Sequence, residues 1–250
     1  MVVYNKDQAT PCVEERSGAY GSSADRRIRF RSGRADCRAG ADAAAAAGGY
    51  HFGDTARVPY GVRSPETILK FARQDMNFLC SYDLKAVVIA CGTVSTTSLS
   101  TLRREYHLPI IGVVEPTAAQ AARVTRSGRI GLIATAASIR SGAYEKKIAA
   151  RRPGATVYGK ACPLFVPLVE NGRFQMGDPV IETIAREYLQ SMQEADVDTL
   201  ILGCTHYPLL SDVIRHIMGP DVTLINSGRE AARALQALLV SSDRLNESQS

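Results

Sequence analysis

Short apolar runs alternate with amphipathic segments from Asp54 almost to the C-terminus. Runs such as KAVVIA (85–90) and DTLILG (198–203) have the uninterrupted apolar character of strands that are buried on both faces of a parallel sheet. The segment SPETILKFARQDMNFL (64–79) opens with serine, proline and glutamate and continues with apolar residues at helical spacing, as amphipathic helices do. This alternation predicts an α/β fold with parallel sheets flanked by helices.

The same pattern sets the expected elements and their grouping. Strands are predicted at 85–90, 109–114, 129–134, 155–159, 198–203 and 222–226. Helices are predicted at 64–79, 99–106, 117–126, 138–151, 180–195, 209–218 and 229–239, with an apolar loop at 162–172. Because no long linker interrupts the series, we expect two similar domains joined by short connections near Val114 and Ile225. The first would hold residues 1–114 and 225–250, the second residues 115–224, with the active site in the crevice between them.

Composition excludes several classes of protein. The chain has 250 residues, 45% hydrophobic and 22% charged, and a net charge of +5, which is too mild to argue for nucleic-acid binding. No apolar run approaches the roughly 20 residues needed to cross a bilayer. The N-terminal MVVYNKDQAT lacks the apolar stretch of a signal peptide, so a cytoplasmic protein without a membrane partner is expected.

Two of the six cysteines stand at matching places in two similar segments. KAVVIACGTVSTTSLSTLR and DTLILGCTHYPLLSDVIR each run from an apolar strand through a small residue to a cysteine, with a threonine one or two positions further on. Cys91 and Cys204 would therefore lie at strand ends, where open parallel sheets bind their ligands. Simple packing is the competing interpretation for a single buried cysteine, and it is the one that we adopt for Cys80 and Cys162. Zinc would need about four ligands, and the chain has only four histidines and no CxxC motif.

Two thiols that face each other across a crevice suit one particular reaction. The sequence contains no GxGxxG and no GxxxxGK[ST] phosphate-binding motif. A thiol with an ordinary pKa of about 8.5 can give or take a proton near working pH. One thiol on each side would allow inversion at an acidic carbon without a cofactor. A cysteine-dependent transferase or hydrolase, which needs one thiol and a base, stays open.

Longer motifs resemble those of the glutamate racemase family. The resemblance runs from His51 to about Leu239 and rests on FGDTARVPYGVRSPETI, VVIACGTVS, GVVEPT, RSGAYEKKI, CPLFVPLVENG and LGCTHYPLL. It implies a cofactor-independent and metal-free isomerase that interconverts L- and D-glutamate and supplies D-glutamate for peptidoglycan. It also implies that Cys91 and Cys204 are the two catalytic bases. Aspartate racemase is a related alternative, and a homodimer is an assembly that the sequence neither requires nor excludes.

The resemblance also assigns residues that bind substrate or support the cysteines. Those expected to contact substrate are Pro59, Tyr60, Gly61, Gly92, Thr93, Thr205 and His206. His206 would also support Cys204, and Glu115 matches an acidic position near the second half of the site. Gly92 stands where the family more often has asparagine, so one contact to substrate is expected to be missing. Considered singly, His206 could be a capping or core residue, Tyr60 a packed loop aromatic, and Glu115 the acidic start of a helix.

The first 50 residues do not fit this resemblance. The family begins with a strand and a signature of the form FDSGxGGLTV, which the chain lacks. Codons that encode residues 28–38 can, one base out of register, encode FDSGxGGLTVV. We therefore interpret residues 1–50, at least from Ile28, as a shifted reading frame. A basic nucleic-acid arm and a solvated tail are the alternatives, although the segment lacks the interleaved aromatic residues that stack on bases.

The shifted frame has a structural consequence. Without its first strand, the first sheet would leave backbone groups of the neighbouring strand unpaired, at about 1–3 kcal/mol for each buried group. We expect a poorly folded first half and weak or absent activity. A non-catalytic relative that folds and binds an amino acid or a protein partner is a separate alternative.

Overall fold

The computed structural model of the protein describes residues 2–5, 50–52, 60–82 and 84–242. The strands are β1 Val2–Asn5, β2 Tyr50–Phe52, β3 Leu84–Ile89, β4 Ile110–Gly112, β5 Arg129–Ala134, β6 Thr156–Ala161, β7 Thr199–Leu202 and β8 Thr223–Asn226. The α-helices are α1 Pro65–Leu79, α2 Gly92–Thr97, α3 Leu99–Glu105, α4 Val114–Val124, α5 Ala136–Arg140, α6 Ala143–Ala149, α7 Phe165–Glu170, α8 Pro179–Glu194, α9 Ser211–Met218 and α10 Ser227–Ser241. A 3₁₀ helix spans Tyr207–Leu210.

One sheet is entirely parallel. Its strand order is β6-β5-β7-β8, and every neighbouring pair runs in the same direction. Strands β5 and β7 are buried over almost their whole length, which is why they read as continuous apolar runs. β6, at the edge, is only partly buried. The expected α/β fold with parallel sheets flanked by helices is confirmed for this half of the molecule.

The other sheet differs from the expectation. Its order is β2-β1-β3-β4, and only β3 and β4 are parallel. Val2–Asn5 runs antiparallel to both β2 and β3, with Val3 opposite Val87. The expectation that β3 lacks a neighbour on this side is therefore wrong, because a short N-terminal strand pairs with its backbone. The predicted signature at 28–38 lies outside the described residues.

Local signals account for the helix boundaries. Ser64 caps α1 by accepting a hydrogen bond from the Thr67 N–H at 3.3 Å, and Asp178 does the same for Val180 at the start of α8 at 2.9 Å. Both helices have proline at their first position, where no N–H is needed. The predicted helix at 138–151 is instead two helices, because Gly142 adopts a left-handed φ of 60° between α5 and α6.

Two further elements differ from the prediction. The expected strand at 109–114 ends at Gly112, and α4 begins at once at Val114. The apolar loop expected at 162–172 contains α7. Both errors arise where a short apolar segment has too few residues to show a period.

The buried apolar residues form three clusters. A central core lies between the two sheets and includes Val88 of β3, Leu132 of β5, Ile201 of β7 and Leu235 of α10. The other two cover the outer faces: one joins α7, α8 and the 3₁₀ helix to the parallel sheet, and the other joins α1, α2 and α3 to β3. The central core holds the carboxyl ends of β3 and β7 next to each other.

The division into two domains stays a prediction. The proposed boundary at 224/225 falls inside β8, which pairs with β7 in the parallel sheet. The following helix, α10, packs against α4 and against β3 and β4 of the first sheet. Across the described ranges, no helix combines the length and the apolar character that a membrane crossing requires.

Candidate active site

Cys91 lies at the carboxyl end of β3. It occupies the residue before α2, and its carbonyl accepts a hydrogen bond from the Ser95 N–H at 2.9 Å. The Ser95 hydroxyl donates to the Ile89 carbonyl at 2.9 Å and accepts from the Val113 N–H at 3.2 Å. Because this buried serine joins the ends of β3 and β4 to the helix, Cys91 is held by rigid elements, and its side chain is partly exposed.

Cys204 occupies the corresponding place after β7. The Gly203 N–H donates to the Ile133 carbonyl at 2.8 Å, which extends the β5–β7 pairing to the residue before the cysteine. The Cys204 carbonyl accepts from the Tyr207 N–H at 3.1 Å as the 3₁₀ helix begins. The two cysteines thus stand at equivalent strand ends, as the paired sequence segments predict.

The environment of Cys204 favours a neutral thiol. Burial and, to a smaller extent, the nearby Cys91 sulfur raise the pKa of Cys204 to about 12. The backbone N–H of His206 and the hydroxyl and N–H of Thr205 act in the opposite direction, because they donate to the sulfur. The effect of the Cys91 sulfur on Cys204 indicates that the two sulfurs lie near each other.

Gly92 packs against the other strand end. A Cβ atom at Gly92 would overlap the carbonyl oxygen of Gly203, and a Cβ at Gly203 would come within 2.9 Å of the Ile133 oxygen. Gly92 thus allows the backbones that carry Cys91 and Cys204 to approach closely, whereas Gly203 allows the end of β7 to pack against β5. An asparagine in place of Gly92, which the resemblance leads us to expect, could not be accommodated here without moving one strand end.

Hydroxyl groups join the two halves beside Cys91. Thr93 is 2% exposed, and its Oγ1 lies 2.9 Å from Oγ1 of Thr135, which in turn lies 3.2 Å from Ser138 Oγ. Thr135 is the N-cap residue of α5. Gly61 packs closely against it, since a Cβ atom at Gly61 would lie 2.8 Å from the Thr135 Cβ. Thr93 and Gly61, both expected to contact substrate, therefore meet at one residue of the parallel-sheet half.

His206 lies between Cys204 and a carboxylate. Its Nδ1 is 3.7 Å from Cys204 Sγ, and its Nε2 is 2.6 Å from Glu170 Oε1. The side chains of His206 and Glu170 are 13% and 21% exposed, so the pair is sheltered from water. In the tautomer that carries its proton on Nε2, the ring donates to the Glu170 carboxylate and presents Nδ1 to the thiol as an acceptor. Cys204, His206 and Glu170 thus have the geometry that a thiol, a base and a group orienting the base would need.

Two of the predicted residues, Pro59 and Tyr60, precede α1 in the chain. Tyr60 packs on Phe71 with ring centroids 5.9 Å apart, and its carbonyl accepts from the Arg63 N–H at 3.0 Å. Pro59 lies outside the described residues.

Glu115 is engaged in ion pairs on the first turn of α4. It contacts Lys147 Nζ at 2.6 Å and also pairs with Arg151. Partial burial opposes ionisation, but hydrogen bonds from these two cations hold the pKa of Glu115 below its ordinary value. The contacts described for this residue tie it to the helix pair α4 and α6 and not to either sulfur.

Two residues of the site were not identified from the sequence. Glu170 follows an apolar run in a predicted loop, 36 positions before its histidine, and Thr135 follows β5 without a cysteine to mark it. The position of Thr135 was the available signal, because it stands at the carboxyl end of a parallel strand as Cys91 and Cys204 do. Within the described part of the chain, no group of three or more histidine, cysteine, aspartate or glutamate side chains could hold a metal ion.

Known proteins share both the sequence and this arrangement of strands. A model of the Asp/Glu/Hydantoin racemase family matches residues 35–235. The glutamate racemase of Geobacter metallireducens is 48% identical over 189 residues, which cover 76% of this chain and 69% of that protein.

Solved structures agree. A glutamate racemase isoform from Bacillus anthracis superposes with a TM-score of 0.79 at 34% identity, covering 86% of this chain and 81% of the other. The Francisella tularensis glutamate racemase in complex with D-glutamate gives a TM-score of 0.71 at 36% identity, covering 78% and 72%. The chain therefore belongs to the Asp/Glu/Hydantoin racemase family and, within it, to the amino-acid racemases of the glutamate racemase type.

Proposed function

We propose that this chain is a cofactor-independent glutamate racemase that uses Cys91 and Cys204 as its two bases. The observation that carries the proposal is the pair of cysteines at equivalent strand ends, close enough for one sulfur to raise the pKa of the other. The relatives and solved structures most similar to the chain are glutamate racemases, which supports glutamate as substrate.

The proposed reaction removes one proton from the α-carbon of glutamate and adds another to the same carbon from the opposite face. A cysteine thiolate takes the α-proton of glutamate, the C–H bond breaks, and its electron pair is delocalised into the adjacent carboxylate. The thiol on the opposite face then donates its proton to the same carbon, which gives the mirror-image product. Each turnover leaves the two sulfurs with exchanged protonation states, and the reverse reaction uses them in exchanged roles.

His206 makes Cys204 competent despite the raised pKa of its thiol. A thiol with a pKa of about 12 is rarely ionised near neutral pH, so it needs a base within reach. His206 Nδ1 can accept that proton at 3.7 Å, and the Glu170 carboxylate stabilises the imidazolium that forms. When Cys204 acts as the acid, the same thiol is already protonated and needs no further help.

Glutamate carboxylates would be held by the polar groups beside each cysteine. The backbone N–H groups of Gly92 and Thr93 belong to the first turn of α2. The hydroxyl groups of Thr93 and Thr205 belong to residues that follow Cys91 and Cys204 within two positions. Tyr60 and Gly61 complete this set as proposed substrate contacts. The physiological role that we propose is the supply of D-glutamate for peptidoglycan in the cytoplasm.

The proposal is tested by following the circular dichroism of L- and D-glutamate with the purified protein. Either Cys91→Ala or Cys204→Ala should reduce racemisation by about 10²- to 10⁴-fold, because each removes one of two proton-transfer groups. Cys80→Ala, at an exposed position, is the matched control and should retain activity. Turnover that survives both active-site substitutions would reject the two-base mechanism.

Proton exchange in deuterated water separates the enzyme from a non-catalytic relative. The racemase incorporates deuterium at the α-carbon of both enantiomers, whereas a chain that only binds amino acid incorporates none. L-aspartate assayed in parallel distinguishes an aspartate racemase. A transferase or hydrolase would leave a covalent adduct on one cysteine, and loss of activity with a chelator would indicate a metalloprotein.

We further propose that the codons for residues 28–38 carry the family signature in another frame, which favours weak or absent activity for the chain as given. The DNA sequence across codons 20–55 tests this directly. An uninterrupted codon series, together with a native protein whose mass matches this sequence, would reject the shift. A frame-restored protein assayed beside this chain should be the more active of the two.

A further inference from the structure

A buried serine binds the carbonyl group two residues before each of the two cysteines. The Ser95 hydroxyl donates to the Ile89 carbonyl at 2.9 Å, and the Ser227 hydroxyl donates to the Leu202 carbonyl at 2.7 Å. Ile89 is the last residue of β3, and Leu202 is the last residue of β7. The two serines are only 7% and 4% exposed. The same kind of hydrogen bond therefore occurs at the end of both strands that lead into a cysteine.

Each serine acts where regular pairing between two strands stops. Ile89 is opposite Gly112 in the last pair of β3 and β4, and Leu202 is opposite Asn226 in the last pair of β7 and β8. Beyond these pairs β3 leaves β4 and β7 leaves β8, so that main-chain groups need partners from outside those pairs. The serine hydroxyls supply such partners, and they extend the fixed part of the backbone to within two residues of each cysteine.

The two serines reach these carbonyls from different elements. Ser95 lies in α2 and also accepts a hydrogen bond from the Val113 N–H at 3.2 Å, at the end of β4. Ser227 begins α10, which follows β8, and stands 25 positions after its acceptor. The residue that corresponds to Ser95 after Cys204 is Pro208, which has no hydroxyl. The similarity of the two cysteine segments therefore does not account for the second bond, and what the two bonds share is the place that they fix.

Proton transfer between sulfur and carbon gives a chemical reason to fix these two places. Each sulfur must meet the same α-carbon from its own face, and a misplacement of about 1 Å can lower a rate by roughly 100-fold. A main chain that is held two residues earlier limits how far the cysteine can move. Ser95 joins β3 to α2 and β4, and Ser227 joins β7 to α10, so both attachments are to neighbouring elements of the fold.

We propose that Ser95 and Ser227 are positioning residues, one for each sulfur, with Ser95 holding Cys91 and Ser227 holding Cys204 in place for proton transfer. The inference rests on the proposed function for its part in turnover. Because each serine acts on one cysteine, loss of its hydroxyl should slow one proton transfer and leave the other nearly unchanged. A serine that only stabilised the fold would affect both transfers alike.

The experiment compares Ser95→Ala with Ser227→Ala, using ordinary and α-deuterated L- and D-glutamate. In either variant kcat should fall by about 3- to 30-fold with little change in KM, because the reacting sulfur is displaced while the substrate contacts remain. The isotope effect should rise with the enantiomer whose α-deuteron is taken by the displaced cysteine, and fall with the other enantiomer. The two variants should therefore show opposite patterns. The same pattern in both variants, or an equal change with both enantiomers, would overturn the inference.

Thr117→Val is the matched control. Thr117 is 0% exposed, and its hydroxyl donates to the Val113 carbonyl at 2.6 Å at the start of α4. The substitution removes a buried bond from a hydroxyl to a carbonyl, as the serine variants do, but not at a strand that leads into a cysteine. It should lower the urea midpoint and leave the isotope effects unchanged with both enantiomers. An asymmetric pattern in Thr117→Val would show that general destabilisation produces it, and the inference would be wrong.

Amide hydrogen exchange of the whole chain without substrate separates this inference from the proposed function. Exchange should become about 3- to 30-fold faster at the ends of β3 and β4 in Ser95→Ala, and at the ends of β7 and β8 in Ser227→Ala. These local changes in a chain without racemase activity would support the role of the serines and reject the proposed function. Unchanged exchange at the strand ends would reject the role of the serines, whatever the activity.

A second pair of variants covers the case in which an alanine variant does not fold. Ser95→Cys and Ser227→Cys keep a side chain of similar size, and their thiol is a weaker donor than a hydroxyl. They should show the same opposite patterns of isotope effect and of exchange, with a smaller amplitude. Cysteine variants that match the unsubstituted chain in both measurements would contradict the inference.

Discussion

The two cysteines stand at equivalent strand ends but have different support. Cys204 contacts His206, which in turn contacts Glu170, and both of these side chains are largely sheltered from water. Beside Cys91 the described contacts are hydroxyl groups, with Thr93 bonded to Thr135 rather than to a base. Equal positions in a duplicated pattern thus do not give equal chemistry. The second residue after the cysteine is Thr93 in one segment and His206 in the other, and Glu170 lies outside both segments.

The difference assigns separate tasks to the two sides. In the proposed mechanism, Cys204 forms its thiolate by passing a proton to His206. For Cys91, the family resemblance expects an aspartate and a serine in the signature that this chain lacks. Substitutions that act on only one cysteine should therefore affect the two directions of racemisation differently, although the equilibrium between L- and D-glutamate is symmetric.

The largest effect is expected at His206. His206→Ala should lower kcat/KM by about 10²- to 10⁴-fold, because Cys204 loses the base that accepts its proton. Glu170→Gln should cost about 10- to 100-fold, the value of one hydrogen bond to a charged partner. Rates are measured separately from L- and D-glutamate, and the initial-rate isotope effect of α-deuterated substrate should be larger in the direction that uses Cys204 as base. His216→Ala, on the exposed face of α9, should leave both directions unchanged; an equal loss there would contradict a specific role for His206.

A smaller loss of activity is expected from a substitution at Gly92, where the two strand ends meet. Gly92→Ala places a methyl group against the Gly203 carbonyl and should push the strand ends apart. We expect activity to fall by about 10- to 100-fold through misplaced sulfurs, and the free energy of unfolding to fall by about 1–3 kcal/mol. Gly159→Ala is the control, because its Cβ would meet Ile139 at an ordinary 3.4 Å. Normal turnover and an unchanged urea midpoint in Gly92→Ala would show that the close approach is not needed.

The smallest catalytic effect is expected at the opposite end of β7. Asp198 accepts hydrogen bonds from the Ser127 N–H at 2.6 Å, the Arg126 N–H at 2.7 Å and the Thr125 hydroxyl at 2.7 Å. Burial opposes ionisation of this carboxylate, but these donors hold its pKa well below the ordinary value. Asp198→Asn should lower the free energy of unfolding at pH 7 by about 1–3 kcal/mol and leave kcat unchanged.

The pH dependence gives Asp198 a second signature. Because its pKa is lower in the folded state, its contribution is complete above the unfolded pKa of about 3.9 and is lost as the pH falls towards the folded value. Urea midpoints of the unsubstituted chain and of Asp198→Asn should therefore converge below about pH 4. Asp212→Asn, at an exposed site, serves as control, and a gap that persists undiminished in acid would contradict the assignment.

How far the sequence predicted the molecule depends on how local each feature is. Strands β5 and β7 are continuous apolar runs, and the prediction of β5 matches residue for residue. α7 was missed because it is short and contains Pro167. The strand Val2–Asn5 was missed because antiparallel pairing with β3 is a contact between distant parts of the chain, which no local period reports.

The amino-acid order by itself determined the parallel sheet and the positions of Cys91 and Cys204, since burial on both faces and the turn after a strand are written into consecutive residues. Only the tertiary structure decided which side chains support those two sulfur atoms. Glu170 reaches His206 across 36 positions, and Gly92 meets Gly203 from the other sheet. Such partners are chosen by the packing of whole elements in space, so they become visible only when the chain is folded.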